Sequence, residues 1–233
     1  MNHSTVPQQL PLDLAGTPAF SRDDLVVTEA NAGAVSLIDR WPDWPAPVVV
    51  LAGPAGSGKS HLASIWRAKA GASVVKADAI EQSIPQVREA GPWLLDDADI
   101  ADLDQNGLFH LINLARQQGS HVLLTARRFP AAWGVTLPDL ASRLKAATLI
   151  EIHEPDDALL AGVITKLFAD RQIEVEPHTV SYIVRRIERS LAAAINVVER
   201  LDYAALSQHS RITRALAAEV ISSLDERQGE LPL

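Results

Sequence analysis

The sequence predicts an α/β fold in which a parallel-sheet domain is followed by a small all-helical domain, and three observations predict it. Short, wholly apolar, β-branched runs recur up to residue 152, the pattern of strands buried on both faces of a parallel sheet. A glycine-rich loop joins the first of these runs to a helix-like stretch. Beyond Pro155 the chain carries helical periodicity and no convincing strand.

The elements follow in order. Residues 1–24 hold three prolines and a glycine with isolated apolar residues, a composition that suits a loosely held arm better than a packed element. Trp41 and Trp44, in WPDWPAP, are expected to pack where the first strand begins. Val48–Ala52 is that strand; GPAGSGKS and a helix over 59–69 come next. Further strands are expected at 73–77, 93–96, 121–125 and 148–152. Between the third and fourth, Leu108, Leu111, Ile112 and Ala115 recur at helical spacing within 105–118, and Gly119 supplies a stop. Strands alternating with helices define the α/β class. Helices are then expected over 156–171, over 178–209 with a break near Ser190, and over 213–227, with starts marked by Asp156 after Pro155, His178 after Pro177, and Thr213.

Composition narrows the function. The chain has 233 residues, 47% hydrophobic and 21% charged, which excludes intrinsic disorder and suits one main domain with a smaller companion. Its formal charge of −8 provides no global basic field to capture nucleic acid. The absence of cysteine removes disulfides, thiolate nucleophiles and sulfur-based zinc sites, and fits a reducing compartment. With no basic-then-apolar start and no apolar run long enough to span a bilayer, a soluble cytoplasmic protein is expected, with no membrane partner.

Gly53-Pro54-Ala55-Gly56-Ser57-Gly58-Lys59-Ser60 fits G-x-x-x-x-G-K-[ST]. In such a loop Gly53, Gly56 and Gly58 let backbone N–H groups turn inward around phosphates, Lys59 neutralises them and Ser60 holds Mg²⁺. The loop implies a nucleotide with Mg²⁺ as cofactors, and the resemblance given below implies that the nucleotide is ADP or ATP. A phosphate-bound Mg²⁺ needs a carboxylate from the end of another buried strand, and Asp96 in WLLDD is placed to be that acid. Asp97 stands where a water-polarising carboxylate serves, and equally where a strand-ending turn residue serves. The seven histidines lack metal-ligand spacing, so no metal besides Mg²⁺ is expected. Arg143, in a short amphipathic turn before the fifth strand, and Arg189, opening a helix in the second domain, are on position alone either solvated or functional; Arg185 and Arg186 read as a solvated helix face.

Six stretches together are similar to the AAA+ family, and within it to the DnaA branch and its regulatory members: LVVTEAN, GPAGSGKS with His61-Leu62, LLDDAD, LLTARRFP, LPDLASRL and ERSLAAAINVVERLD. The resemblance spans about residues 20–205 and implies an AAA+ nucleotide-binding domain over 25–154, a helical lid over 155–233 and an N-terminal arm over 1–24. It implies that Leu25, Val26 and Asn31 line the adenine side, that Arg143 is an arginine finger and that Arg189 is the second sensor. Where relatives place Asn or Asp after the fourth strand, this chain reads Thr125-Ala126-Arg127-Arg128, which argues against vigorous self-hydrolysis. The few residues after Arg227 leave no room for the DNA-binding helical domain that follows the lid in DnaA. Gln9-Leu10-Pro11-Leu12-Asp13-Leu14 fits Q-x-x-L-x-L, which resembles sliding-clamp-binding peptides, with Gln9, Leu10, Leu12 and Leu14 as contacts; QGELPL at 228–233 is a second copy of the pattern.

The resemblance implies as partners the DnaA initiator, the DNA polymerase III sliding clamp, DNA only through the clamp, and a second copy of the chain as a homodimer. ADP is the nucleotide the family favours. The expected function is negative regulation of replication initiation, in which nucleotide-bound protein drives ATP hydrolysis by DnaA in trans; the alternatives are an autonomous ATPase resembling helicase loaders and a non-catalytic nucleotide-gated adaptor.

Overall fold

A computed structural model describes residue 22, residues 25–87 and residues 91–229. Five strands form one parallel sheet, β1 (Val48–Ala52), β2 (Ser73–Val75), β3 (Trp93–Leu95), β4 (Val122–Ala126) and β5 (Thr148–Glu151), in the order β2-β3-β4-β1-β5. Burial tracks position in that order. The central β1 and β4 are buried at every residue, whereas the edge strands β2 and β5 leave Val74 and Leu149 exposed. The sheet is therefore wholly parallel with helices on both faces, the α/β class that the strand pattern implies.

Strand ends are set by partners. β2 and β3 stop after three residues because only Ser73↔Trp93 to Val75↔Leu95 pair, so Lys76, Ala77 and Asp96 lie beyond the ladder. β4 runs one residue later than expected because Ala126 pairs with Ala52.

Helices α1 (Ala32–Asp39) and α2 (Lys59–Ala70) pack on one face of the sheet, through Ile38, Leu62 and Trp66 against Val49, Leu51 and Leu123. The other face carries α3 (Ile80–Val87), α4 (Gln105–Gln117) and α5 (Pro138–Lys145), through Ile80, Leu108, Leu111, Leu140 and Leu144 against Val50, Leu95 and Leu124. Sequence periodicity does not find α1 or α3, and gives α5 only as a turn. Each has eight residues, too few to be stable alone, and α3 contains Pro85; tertiary packing forms them.

Trp44 stacks on Trp66 at 5.1 Å and donates its indole N–H to the Leu37 carbonyl at 2.7 Å, closing the end of the sheet where β1 starts. Arg22, within the segment read as an arm, ion-pairs with Asp39 at 2.7 Å and holds that carboxyl below its usual range.

A third apolar cluster is built only from helices, α6 (Asp157–Asp170), α7 (Pro177–Val184), α8 (Leu191–Gln208) and α9 (Arg214–Gly229), around Ile164, Phe168, Ile183, Val197, Leu201 and Ala217. Three of the four starts carry a side-chain cap: Asp156 accepts from Leu159 N at 2.6 Å, Thr213 from Leu216 N at 3.3 Å, and Ser190, where a break is expected, from Ala193 N at 3.0 Å; α7 begins at Pro177, one residue ahead of the expected His178, without a side-chain cap. The expected helix over 178–209 divides into α7 and α8, because Ser190 is extended. Among the described residues no helix is long and apolar enough to cross a membrane.

Candidate functional site

The sheet order places the carboxyl ends of β1, β4 and β3 side by side, and the loop of residues 53–58 leaves β1 into that crevice. Gly53 N donates to the Ala126 carbonyl at 3.1 Å, tying the loop to β4. A Cβ on Gly53 would collide with the Ile152 carbonyl, and Gly56 and Gly58 adopt φ of +72° and +97°, so all three positions require glycine. Gly58 is also the N-cap of α2 and has no side chain to offer, which leaves the first-turn N–H groups without a side-chain cap.

Lys59 is only 7% exposed, and its Nζ donates to the Pro54 carbonyl at 2.7 Å. Burial holds this ammonium below its ordinary pKa, against the opposing pull of Asp97 and Asp96. The Ser57 hydroxyl is buried with no partner among the described residues. An uncapped helix start, a buried cation and an orphan hydroxyl in one glycine cradle suit a phosphate group, whose oxygens would satisfy all three.

At the end of β3, Asp96 Oδ1 accepts from Ser60 Oγ at 3.3 Å and also from the Thr125 hydroxyl of β4. Ser60 and Asp96 together are the pair that could hold Mg²⁺ beside a phosphate. Asp97 takes φ +53°, with its N–H donated to Thr125 Oγ1 at 2.9 Å and the next N–H, of Ala98, donated to the Thr125 carbonyl at 2.7 Å. Thr125 thus organises both carboxylates. Sequence reasoning quoted it without giving it a role, although a buried hydroxyl in the otherwise apolar VLLTA is a readable signal.

Leu25, Val26 and Asn31 belong to the segment that leads into α1, beside the residues that follow β5. The buried Asn31 amide accepts from Thr28 N and donates to the Val26 carbonyl, each at 2.9 Å. Leu25 packs on the α1–α2 cluster, Val26 lies against α6 where a Cβ on Gly162 would meet it at 2.8 Å, and His153 N donates to the Ala30 carbonyl at 3.1 Å. The helical unit also reaches the loop: Leu191 N donates to the Gly56 carbonyl at 2.8 Å, and Ser190 fills the space where Gly56 lacks a side chain.

Arg189 lies one residue ahead of the α8 cap rather than in the helix, and its guanidinium is engaged by Asp157 at 2.9 Å and the Pro155 carbonyl at 3.5 Å. Arg143 sits half-buried in the last turn of α5, on the sheet face opposite α2, its guanidinium making no hydrogen bond or ion pair among the described residues. Gln9, Leu10, Leu12 and Leu14 lie outside the described residues, as do residues 230–233 of the second copy of that pattern.

Fold and loop together define a class by architecture: an α/β domain with a five-stranded parallel sheet and a glycine-rich loop after β1, similar in fold to solved domains of DnaA and RuvB. No family model matches the chain. Among curated proteins it is similar to the chromosomal replication initiator protein DnaA of Thermomicrobium roseum, 24% identical over 225 residues that cover 85% of this chain and 47% of the initiator. The chain thus spans about half the length of that relative. It is also similar to an uncharacterized protein of Haemophilus influenzae, 23% identical over 200 residues, covering 80% of this chain and 87% of that one. Among solved structures, domain III of Thermotoga maritima DnaA superposes with a TM-score of 0.75 at 15% identity, covering 88% of this chain and 97% of that one. AMPPCP-bound DnaA from Aquifex aeolicus gives 0.68 at 18% identity, covering 79% and 65%. The Thermotoga maritima RuvB branch migration motor gives 0.70 at 17% identity, covering 88% and 72%.

Proposed function

We propose that the chain is a nucleotide-bound regulator of replication initiation of the kind called Hda, which represses initiation by driving DnaA to hydrolyse its ATP. In this reading residues 25–154 bind ADP or ATP with Mg²⁺, residues 155–233 form a lid, and the arm of residues 1–24 tethers the protein to the DNA polymerase III sliding clamp in the cytoplasm. Gly53, Gly56, Gly58 and Lys59 hold the phosphates, Ser60 and Asp96 the metal, and Leu25, Val26 and Asn31 flank the base. The nucleotide carried by the Aquifex DnaA structure supports this assignment.

The observation that carries the regulatory reading is Arg143. A guanidinium half-buried on the sheet face opposite α2, with no carboxylate to neutralise it among the described residues, is suited to a charge supplied by another molecule. Pressed against ATP in the initiator, it stabilises charge developing on the γ-phosphate, an effect of about 10³- to 10⁵-fold for arginine fingers in general. The test is the ATP turnover of the initiator with and without this protein and DNA-loaded clamp. Wild type accelerates turnover, and Arg143→Ala binds nucleotide and clamp but does not. Full stimulation by Arg143→Ala refutes the role of Arg143, and rapid ATP turnover by the isolated protein favours an autonomous ATPase with Asp97 as base.

A further inference from the structure

We propose that Arg185, Arg186, Arg211 and Arg214 form a nucleic-acid-binding edge on the helical unit, taking the phosphates of the backbone without reading bases. Arg185 and Arg186 follow the end of α7, whereas Arg211 lies just ahead of α9 and Arg214 opens it. Tyr182 of α7 brings the two segments together. The guanidinium carbon of Arg186 stands 3.8 Å from the centre of its ring, and that of Arg214 stands 4.8 Å from it. Those two charges are therefore within about 9 Å of each other, less than the screening length of ~10 Å in ~0.1 M salt.

Like charges held so close repel, and no described carboxylate offsets them: all four arginines are exposed, and none forms an ion pair among the described residues. Elsewhere in the helical unit arginines are matched, Arg171 by Asp202 at 3.5 Å and Arg189 by Asp157 at 2.9 Å. The Tyr182 ring is what holds Arg186 and Arg214 in place. Stacking engages the flat face of a guanidinium and leaves its in-plane N–H donors free to fork onto phosphate oxygens. Among the described residues only Arg186 Nη1 finds an acceptor, the Tyr182 carbonyl at a long 3.4 Å. The formal charge of −8 belongs to the chain as a whole, so the positive field here is local. A nucleic-acid backbone fits this surface better than an acidic peptide does, because no large apolar side chain is exposed at 182–187 or 211–214 to anchor a peptide.

The test is fluorescence anisotropy of a labelled DNA duplex of about 20 base pairs, titrated with the full chain and no clamp at about 50 and about 200 mM salt. Four phosphate contacts predict that wild-type affinity falls about 150-fold over that range, and the two left in Arg186→Gln with Arg214→Gln predict about 12-fold. Arg185→Gln with Arg211→Gln leaves the Tyr182 stack in place, shows the same weaker salt dependence, and decides the question if the first pair does not fold. Arg186→Lys with Arg214→Lys keeps the wild-type dependence. No binding by wild type at the lower salt overturns the proposal, and so does a folded Gln pair that keeps the wild-type salt dependence. Poly-glutamate that competes as well as unlabelled duplex of equal charge overturns it in favour of an acidic-peptide site.

Discussion

The junction between the phosphate loop and the helical unit is the sharpest stability prediction. Gly56 holds φ +72°, its carbonyl accepts from Leu191 N at 2.8 Å, and a Cβ there would overlap Ser190 Cβ and stand 3.3 Å from Ser190 Cα. Gly56→Ala puts an L-residue in the left-handed region, costing about 1–2 kcal/mol. It also drives the start of α8 off the loop, which removes a hydrogen bond of about 1 kcal/mol. A total of about 3 kcal/mol lowers the melting temperature by roughly 6–12 °C in a chain of this size. The assay is thermal unfolding of Gly56→Ala, Ser190→Gly and the double variant. Ser190→Gly removes the obstructing Cβ while glycine remains an acceptable N-cap, so the double variant is more stable than the sum of the singles by about 1 kcal/mol. A Gly56→Ala protein within about 0.5 kcal/mol of wild type, or strict additivity, refutes the junction.

Lys59→Ala folds but does not bind ADP measurably, as calorimetry reads; and because burial holds the Lys59 ammonium below its ordinary 10.5, wild-type affinity falls on the alkaline side before that pH is reached. His121 is packed edge-on against Trp44 at 5.4 Å, and desolvation holds its imidazole below 6.5. The fold therefore disfavours the charged form: stability is undiminished above pH 6.5 and declines as pH falls from 6.5 through the lower folded value, a decline that is smaller in urea titrations of His121→Gln. On the proposed reading of the arm, burial of Leu12 and Leu14 by a clamp would be worth about 3–6 kcal/mol before ordering costs, a weak tether. Gln9→Ala with Leu12→Ala abolishes clamp binding in surface-plasmon assays without shifting the melting temperature; retained binding together with early unfolding makes the arm a structural strap.

Much of this architecture is written locally. Val48–Ala52 is apolar at every position because it lies at the centre of the sheet, and its strand is legible with both ends correct. The loop that follows needs glycine at positive φ, and GPAGSGKS supplies it at 56 and 58. Asp156, Ser190 and Thr213 mark three helix starts by side chains that bond their own backbone, an interaction within three residues. Other features had no local signal. Nothing in Ala32–Asp39 distinguishes a helix until Ile38 and Leu37 find a cluster to enter, and the ends of β2 and β3 depend on which residues of two distant segments pair.

The site divides the same way. By itself the sequence determined the residue types of a glycine-rich loop and of two carboxylates after a buried strand, because loop curvature and strand burial are properties of contiguous residues. Only the tertiary structure decided that Thr125 ties those carboxylates to β4, that Asp157 occupies Arg189 and that Ser190 closes on Gly56. It also decided that Asp99 fastens the Arg127 backbone beside the loop. Each of these joins segments roughly 30 to 130 residues apart, where partners are selected by sheet order and helix packing rather than by the backbone preferences of either segment.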